Sequence, residues 1–176
     1  MTSVKTPCVG ICSTVFGDEV CRGCKRFVHE VIDWNSYDSD QKLLVKERLR
    51  ILGSQVLSSK IVVQDKALFF DSLEKASVDL KLNQTEQVLE FLRKASSQID
   101  SLEDHGLKAL PEYRQHTAKE LKELIDAEIH ILSTATYRRN FKRGHFQKTE
   151  NGKITLGDNS SIFRSEKNEE NEAQLQ

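Results

Sequence analysis

The chain has 176 residues, of which 38% are hydrophobic and 30% charged, with a formal net charge of −1. That is enough for one domain with its own core plus a small appendage, and the balanced charge excludes a wholly basic nucleic-acid coat or an acidic solvating tail as the character of the whole. No apolar run approaches the roughly 18 residues of a membrane span, and the opening MTSVKTPCVG lacks the apolar core of a signal peptide; a cytoplasmic protein without membrane association is expected.

All four cysteines, Cys8, Cys12, Cys21 and Cys24, fall in the first 26 residues, and none follows. Pro7, Gly10, Gly17 and Gly23 share this zone, which has little helical periodicity and reads as a loop. Phe27 to Trp34 reads as a short helix. Asp38 to about Ser58 reads as a longer one. Its cap is Asp38 with Gln41, its inner stripe Val45, Leu49, Leu52 and Val56, and Gly53 interrupts it. Ile61-Val62-Val63 is β-branched and suits an extended segment. Phe69, Leu73, Ala76 and Leu80 resume a helical stripe. Asn83 with Glu86 starts another helix, whose face Val88, Leu92, Ala95, Ile99 and Leu102 runs on until Gly106, and Pro111 prevents early resumption. Thr117-x-x-Glu120 is a capping box for the last helix, expected to reach about Phe141. Leu121, Leu124, Ile125, Ile129 and Leu132 form its inner face. Asn151-Gly152, between FQKTE and KITL, suits a hairpin turn, and residues 164–176 have the composition of a disordered segment.

Such stripes are buried only against one another. The expected fold is therefore mainly α: a small N-terminal four-cysteine metal-binding loop packed on a small helical bundle, with a disordered C-terminal tail. The domain reading is 1–50 for the four-cysteine module with its following helices, 51–145 for a helical domain, and 146–176 for a polar, largely disordered tail.

The cysteine spacing is C-x3-C-x8-C-x2-C. Each close pair bends back as a knuckle and presents two sulfurs to one ion, so Cys8, Cys12, Cys21 and Cys24 are the expected metal ligands. Gly10 and Gly23 let the backbone turn and bring amide N–H groups near sulfur, and Gly17-Asp18 supplies the turn between the pairs. Four thiolates around a zinc ion, or around an iron–sulfur cluster of charge 2+, leave a net charge of two minus, which Arg22, Lys25 and Arg26 offset. Neither charge nor spacing chooses between an iron–sulfur cluster and zinc, and a disulfide framework is the minority alternative in a reducing compartment. His29, five residues after Cys24, is a remote substitute ligand.

The run PCVGIC, then CRGCKR, then a short helix ending in Trp34, then SDQKLLVKERL, resembles the YdhL-like family of small bacterial proteins, a domain of unknown function labelled as predicted iron–sulfur proteins. Pro7, Cys8, Gly10, Cys12, Cys21, Gly23, Cys24, Arg26, Trp34 and Leu49 occupy the positions of that pattern. The resemblance covers roughly residues 6–50 and implies a metal or iron–sulfur site without implying an activity.

Beyond it, Tyr137 to Lys148 carries five cations and three aromatics and no acid. Arg138, Arg139, Lys142 and Arg143 are candidates for RNA phosphates, with aromatics to stack on bases. The alternative is a solvated helix end whose cations favour the helix dipole. Trp34 is expected as an aromatic plug between loop and bundle. No phosphate loop, dinucleotide fingerprint or nucleophile motif is present, so whether the chain is an enzyme stays open. The leading expectation is a metal-binding adaptor with a protein partner; an iron–sulfur redox protein and an RNA-binding accessory protein are the alternatives.

Overall fold

Side-chain caps set where the helices begin. In the computed structural model, which describes residues 4–10, 12–142, 146–148 and 154–156, Asp38 accepts from the Gln41 N–H at 2.8 Å and Gln41 Oε1 accepts from the Asp38 N–H at 3.0 Å. This reciprocal box satisfies two N–H groups that helix geometry leaves without partners. It opens α2 (Ser39–Ser58), which follows the single short turn of α1 (Val28–Ile32). Asp65 caps α3 (Lys66–Lys75), accepting from the Ala67 and Leu68 N–H groups, and Asn83 caps α4 (Gln84–Ala95). Thr117 and Glu120 form the expected box at the head of α5 (Ala118–Tyr137), with the Thr117 N–H on Glu120 Oε2 at 2.8 Å.

Two helices end earlier than their apolar spacing predicts. At α3 the chain turns left-handed at Ser77 (φ 52°), and the Val78 N–H closes onto the Leu73 carbonyl, so Leu80 lies beyond the helix and is exposed. At α4 the helix stops at Ala95, with Ser96 as its cap, while Leu102 still reaches the core from a following turn. Apolar spacing marks which residues are buried, but a turn delivers a leucine inward as well as a helix does.

Ile61–Val63 is strand β1, as expected. Its partner, which periodicity did not reveal, is β2 (Leu107–Ala109), antiparallel with Ile61 opposite Ala109. Gly106 directs the approach: its carbonyl accepts the Gln64 and Asp65 N–H groups, and its φ of +72° lies in the left-handed region. A Cβ there would stand 2.2 Å from the Asp65 carbonyl oxygen.

The core is the joint product of these pieces. Val56, Leu73, Val88, Phe91, Leu92, Leu107, Leu121 and Ile125 are fully buried, and Phe69 meets Phe91 edge to face at 5.8 Å. Gly53 lets α2 approach α4, since a Cβ there would lie 3.1 Å from Leu89 Cδ1. Of the predicted inner face of α5, Leu121, Ile125 and Ile129 are buried, whereas Leu124 is exposed. The described residues are thus mainly helical, with five α-helices. Residue 50, the predicted boundary between module and helical domain, lies inside the unbroken α2.

The chain divides into two units, Met1–Thr134 and Ala135–Gln176. In the second, α5 gives way at Arg138 to a π-helical turn, Arg138–Lys142, where an α-helix to Phe141 was expected. The rings of Tyr137 and Phe141 lie 5.2 Å apart across that turn. Strand β3 (Phe146–Lys148) pairs antiparallel with β4 (Ile154–Leu156), giving the two strands of the expected hairpin. Its Asn151-Gly152 turn and the tail 164–176 lie outside the described residues, among which no helix is long and apolar enough to cross a membrane.

Candidate metal centre

The second cysteine pair sits on a small hairpin. Val20 and Phe27 form an antiparallel bridge, the Cys21 N–H donates to the Arg26 carbonyl at 2.8 Å, and the Lys25 N–H donates back to the Cys21 carbonyl at 2.9 Å. The left-handed residue of this turn is Lys25 (φ 60°), while Gly23 brings its backbone N–H to the Cys21 sulfur; the described glycines with positive φ are Gly10, Gly17 and Gly106. Gly17 ends a 3-10 turn, Ser13–Phe16, between the two pairs, as expected.

This folding points backbone N–H groups at one sulfur. Burial pushes the Cys21 thiol up, but the backbone of Cys24, Ser13 and Gly23 and the Cys24 thiol all bond to it and bring it down to about 7. Cys12 Sγ lies 3.7 Å from Cys21 Sγ and 3.0 Å from Thr14 Oγ1. The sulfur separation is far beyond the disulfide length of about 2.05 Å. It matches the edge, ~3.8 Å, of a tetrahedron with sulfurs about 2.3 Å from its centre. Cys24 is buried, and that burial pushes its thiol up against the opposing pull of Arg26, whose Nε donates to Cys24 Sγ at 3.3 Å. Cys8 is different: it is exposed, with its thiol on the Gly10 carbonyl at 3.5 Å. All four are free thiols. The structure therefore brings Cys12 to Cys21, and Cys21 to Cys24, and leaves Cys8 at the surface. Among the described residues it gathers no set of three or more His, Cys, Asp or Glu side chains around one point.

The three neighbouring cations divide their work. Arg26 reaches sulfur and lies over the Trp34 ring, 4.8 Å from its centre. Lys25, itself buried, bonds the Arg22 and Gly23 carbonyls and reaches Asp126 at 3.4 Å. Arg22 turns outward to Asp18 at 2.9 Å. Trp34 is buried, outside the main hydrophobic cluster of the helices. The ring of His29 packs 5.8 Å from that of Phe27, and burial holds it below its ordinary protonation range.

Other residues that hold the loop escaped the sequence reading. Glu30 is buried, accepts from the Phe27 N–H at 2.8 Å, and takes Arg48 of α2 at 2.6 Å. The Arg48 guanidinium lies over the Phe27 ring at 3.8 Å, with Nε and one terminal nitrogen buried and without a hydrogen-bond partner. From α5 come Asp126, to Lys25, and His130, whose buried Nδ1 has no partner and which burial, then Lys25, hold below the ordinary value of 6.5. Their one signal was position: both lie one residue from Ile125 and Ile129, at the rim of the buried stripe.

Of the proposed nucleic-acid contacts, Arg138 and Arg139 are exposed on the π-helical turn, Lys142 closes that turn, and Arg143 lies outside the described residues.

A family model described as a protein of unknown function (DUF1289) matches residues 6–51, the stretch that carries the cysteine motif, α1 and α2 as far as Ile51. No curated protein and no solved structure matches the chain.

Proposed function

We propose that this is a cytoplasmic metal-binding protein in which Cys8, Cys12, Cys21 and Cys24 hold one zinc ion or an iron–sulfur cluster, and in which the loop so stapled serves a helical body as a binding or adaptor module. The observation that carries the reading is the 3.7 Å separation of the Cys12 and Cys21 sulfurs, drawn from different cysteine pairs and spaced as two corners of one coordination tetrahedron. The N–H groups on Cys21 favour its thiolate, the ligating form, and the Arg26 guanidinium on Cys24 opposes the burial that raises that thiol. Cys8, on a surface segment with a left-handed glycine two residues on, is the ligand that closes last. The resemblance to predicted iron–sulfur proteins supports the cluster; the paired-cysteine spacing supports zinc equally.

Elemental analysis and absorbance spectroscopy of protein prepared without oxygen test the reading. One zinc per chain and a colourless sample, or iron and sulfide with a visible band that bleaches on reduction, are the two supporting results, and the second turns the module into an electron carrier or sensor. Cys21→Ser and Cys24→Ser should each lose the metal. Full metal retention in both variants, or a metal-free native protein, would defeat the reading.

A second reading, RNA binding through Arg138, Arg139, Lys142 and Arg143, is favoured by the exposure of the first two beside the Tyr137–Phe141 ring pair. It requires salt-dependent binding to structured RNA that Arg138→Glu/Arg139→Glu abolishes.

A further inference from the structure

We infer that the open groove between the cysteine loop and helices α2, α4 and α5 is a docking site for an acidic amphipathic helix of a partner protein. The groove measures about 1040 Å³, and its floor is aliphatic, formed by Leu49, Leu82, Leu89, Leu92, Ile125 and Ile129. Volumes of roughly 300–1,000 Å³ already bury most of a drug-sized ligand, so this one is large enough for the apolar stripe of a short helix.

Its charge is one-sided. Eight lysines and arginines line it against four carboxylates, although the chain as a whole has a net charge of −1. Six of those eight cations are engaged by neighbours, which leaves Lys5 and Lys46 as the open ones. Lys25 is buried under the loop, Lys94 bonds the Ala76 and Ser77 carbonyls, Lys122 pairs with Asp126, and Arg22 with Asp18. Lys5 and Lys46 make no ion pair among the described residues, and Arg50 and Arg93 hold only carboxylates of their own helices, Glu47 and Glu90. The rim therefore offers positive charge to an incoming acidic group, while the floor asks for leucine-like side chains. That combination is met by a helix with apolar residues at i, i+3, i+4 and i+7 and acids elsewhere. Nucleic acid fits less well, because no Phe, Tyr or Trp lines the groove to stack on a base.

The inference deepens the adaptor reading and rests on it for one wall alone, the cysteine loop, where Cys8, Cys24 and Val9 face the groove. Fluorescence anisotropy with the full chain tests it, using a labelled helical peptide of about 15 residues with leucines at that spacing and glutamates elsewhere. The peptide should bind, lose affinity as salt is raised, and bind at least about tenfold more tightly than its lysine-for-glutamate counterpart. Lys5→Glu/Lys46→Glu should cost the same factor, whereas Lys66→Glu, an equal change of charge on the exposed start of α3, should leave binding unaltered. Equal binding of both peptides, equal behaviour of the two charge variants, or tighter binding of a single-stranded RNA that displaces the peptide would overturn the inference. Metal content measured on the same samples separates the two failures: a metal-loaded protein that ignores the peptide refutes the groove alone, and a metal-free protein that binds it refutes the metal reading alone.

Discussion

Arg48 shows how one side chain ties the cysteine loop to the helical body. It neutralises the buried Glu30, covers the Phe27 ring, and adds positive potential near Cys24. Removing one partner of a buried pair strands the other, so Arg48→Ala should cost about 3 kcal/mol in urea unfolding, and Glu30→Gln/Arg48→Met should recover much of that loss. His130 sets a pH dependence of definite sign. The folded state holds it below 6.5, so the unfolded chain takes up this proton first. Its contribution to stability is complete above 6.5 and is lost as the pH falls below that value. His130→Gln should therefore show a shallower loss of urea midpoint between about pH 7 and 5 than the parent protein, and identical slopes would refute this account. None of these partnerships is written in the sequence, since residues 30 and 48, or 25 and 126, are brought together only by tertiary packing. The approach of Cys12 to Cys21 was legible because the cysteine spacing is local.

At the scale of elements, caps were the most legible feature and helix ends the least. Asp38, Asn83 and Thr117 announce their helices through short-range bonds that the sequence contains in full. The stops at Lys75 and Ala95 depend on Ser77 and Ser96, residues without a breaker's signature, and so the stripes were extended too far. Strand β2 was missed because Leu107-Lys108-Ala109 has neither length nor β-branching, and only its pairing with β1 makes it a strand. Gly106 holds that pairing in place. Gly106→Ala forces a left-handed alanine and drives its Cβ against the Asp65 carbonyl and the Phe69 amide, 2.2 and 2.7 Å away. Thermal unfolding should show a loss of at least about 2 kcal/mol, among the larger single-residue effects; a variant as stable as the parent would mean that the loop relaxes freely.

For the first unit, burial falls into two sets. The main hydrophobic cluster runs from Val56 to Ile129 and contains none of Val20, Cys21, Cys24, Phe27 or Trp34, which are buried in the cysteine loop and its following turn. A loop that small owns too little apolar surface to stand alone, whereas the helical cluster does not depend on it. Removal of the proposed metal by a chelator should leave far-UV helicity largely intact and raise amide exchange in residues 12–34, with little change across α4 and α5. Cooperative loss of all helices on chelation would show that the two sets fold as one.

Trp34 is the chain's single tryptophan, and it is buried beneath Arg26, the residue that also donates to Cys24. Its indole emission therefore reports on the cysteine loop and on Tyr37, whose ring lies 6.5 Å away, while Tyr113 packs against the helical cluster. The protein has, in effect, a private optical channel for its smaller core. Binding and release of the proposed metal should be timed by fluorescence in the unmodified chain, in the same cuvette in which circular dichroism follows the helices.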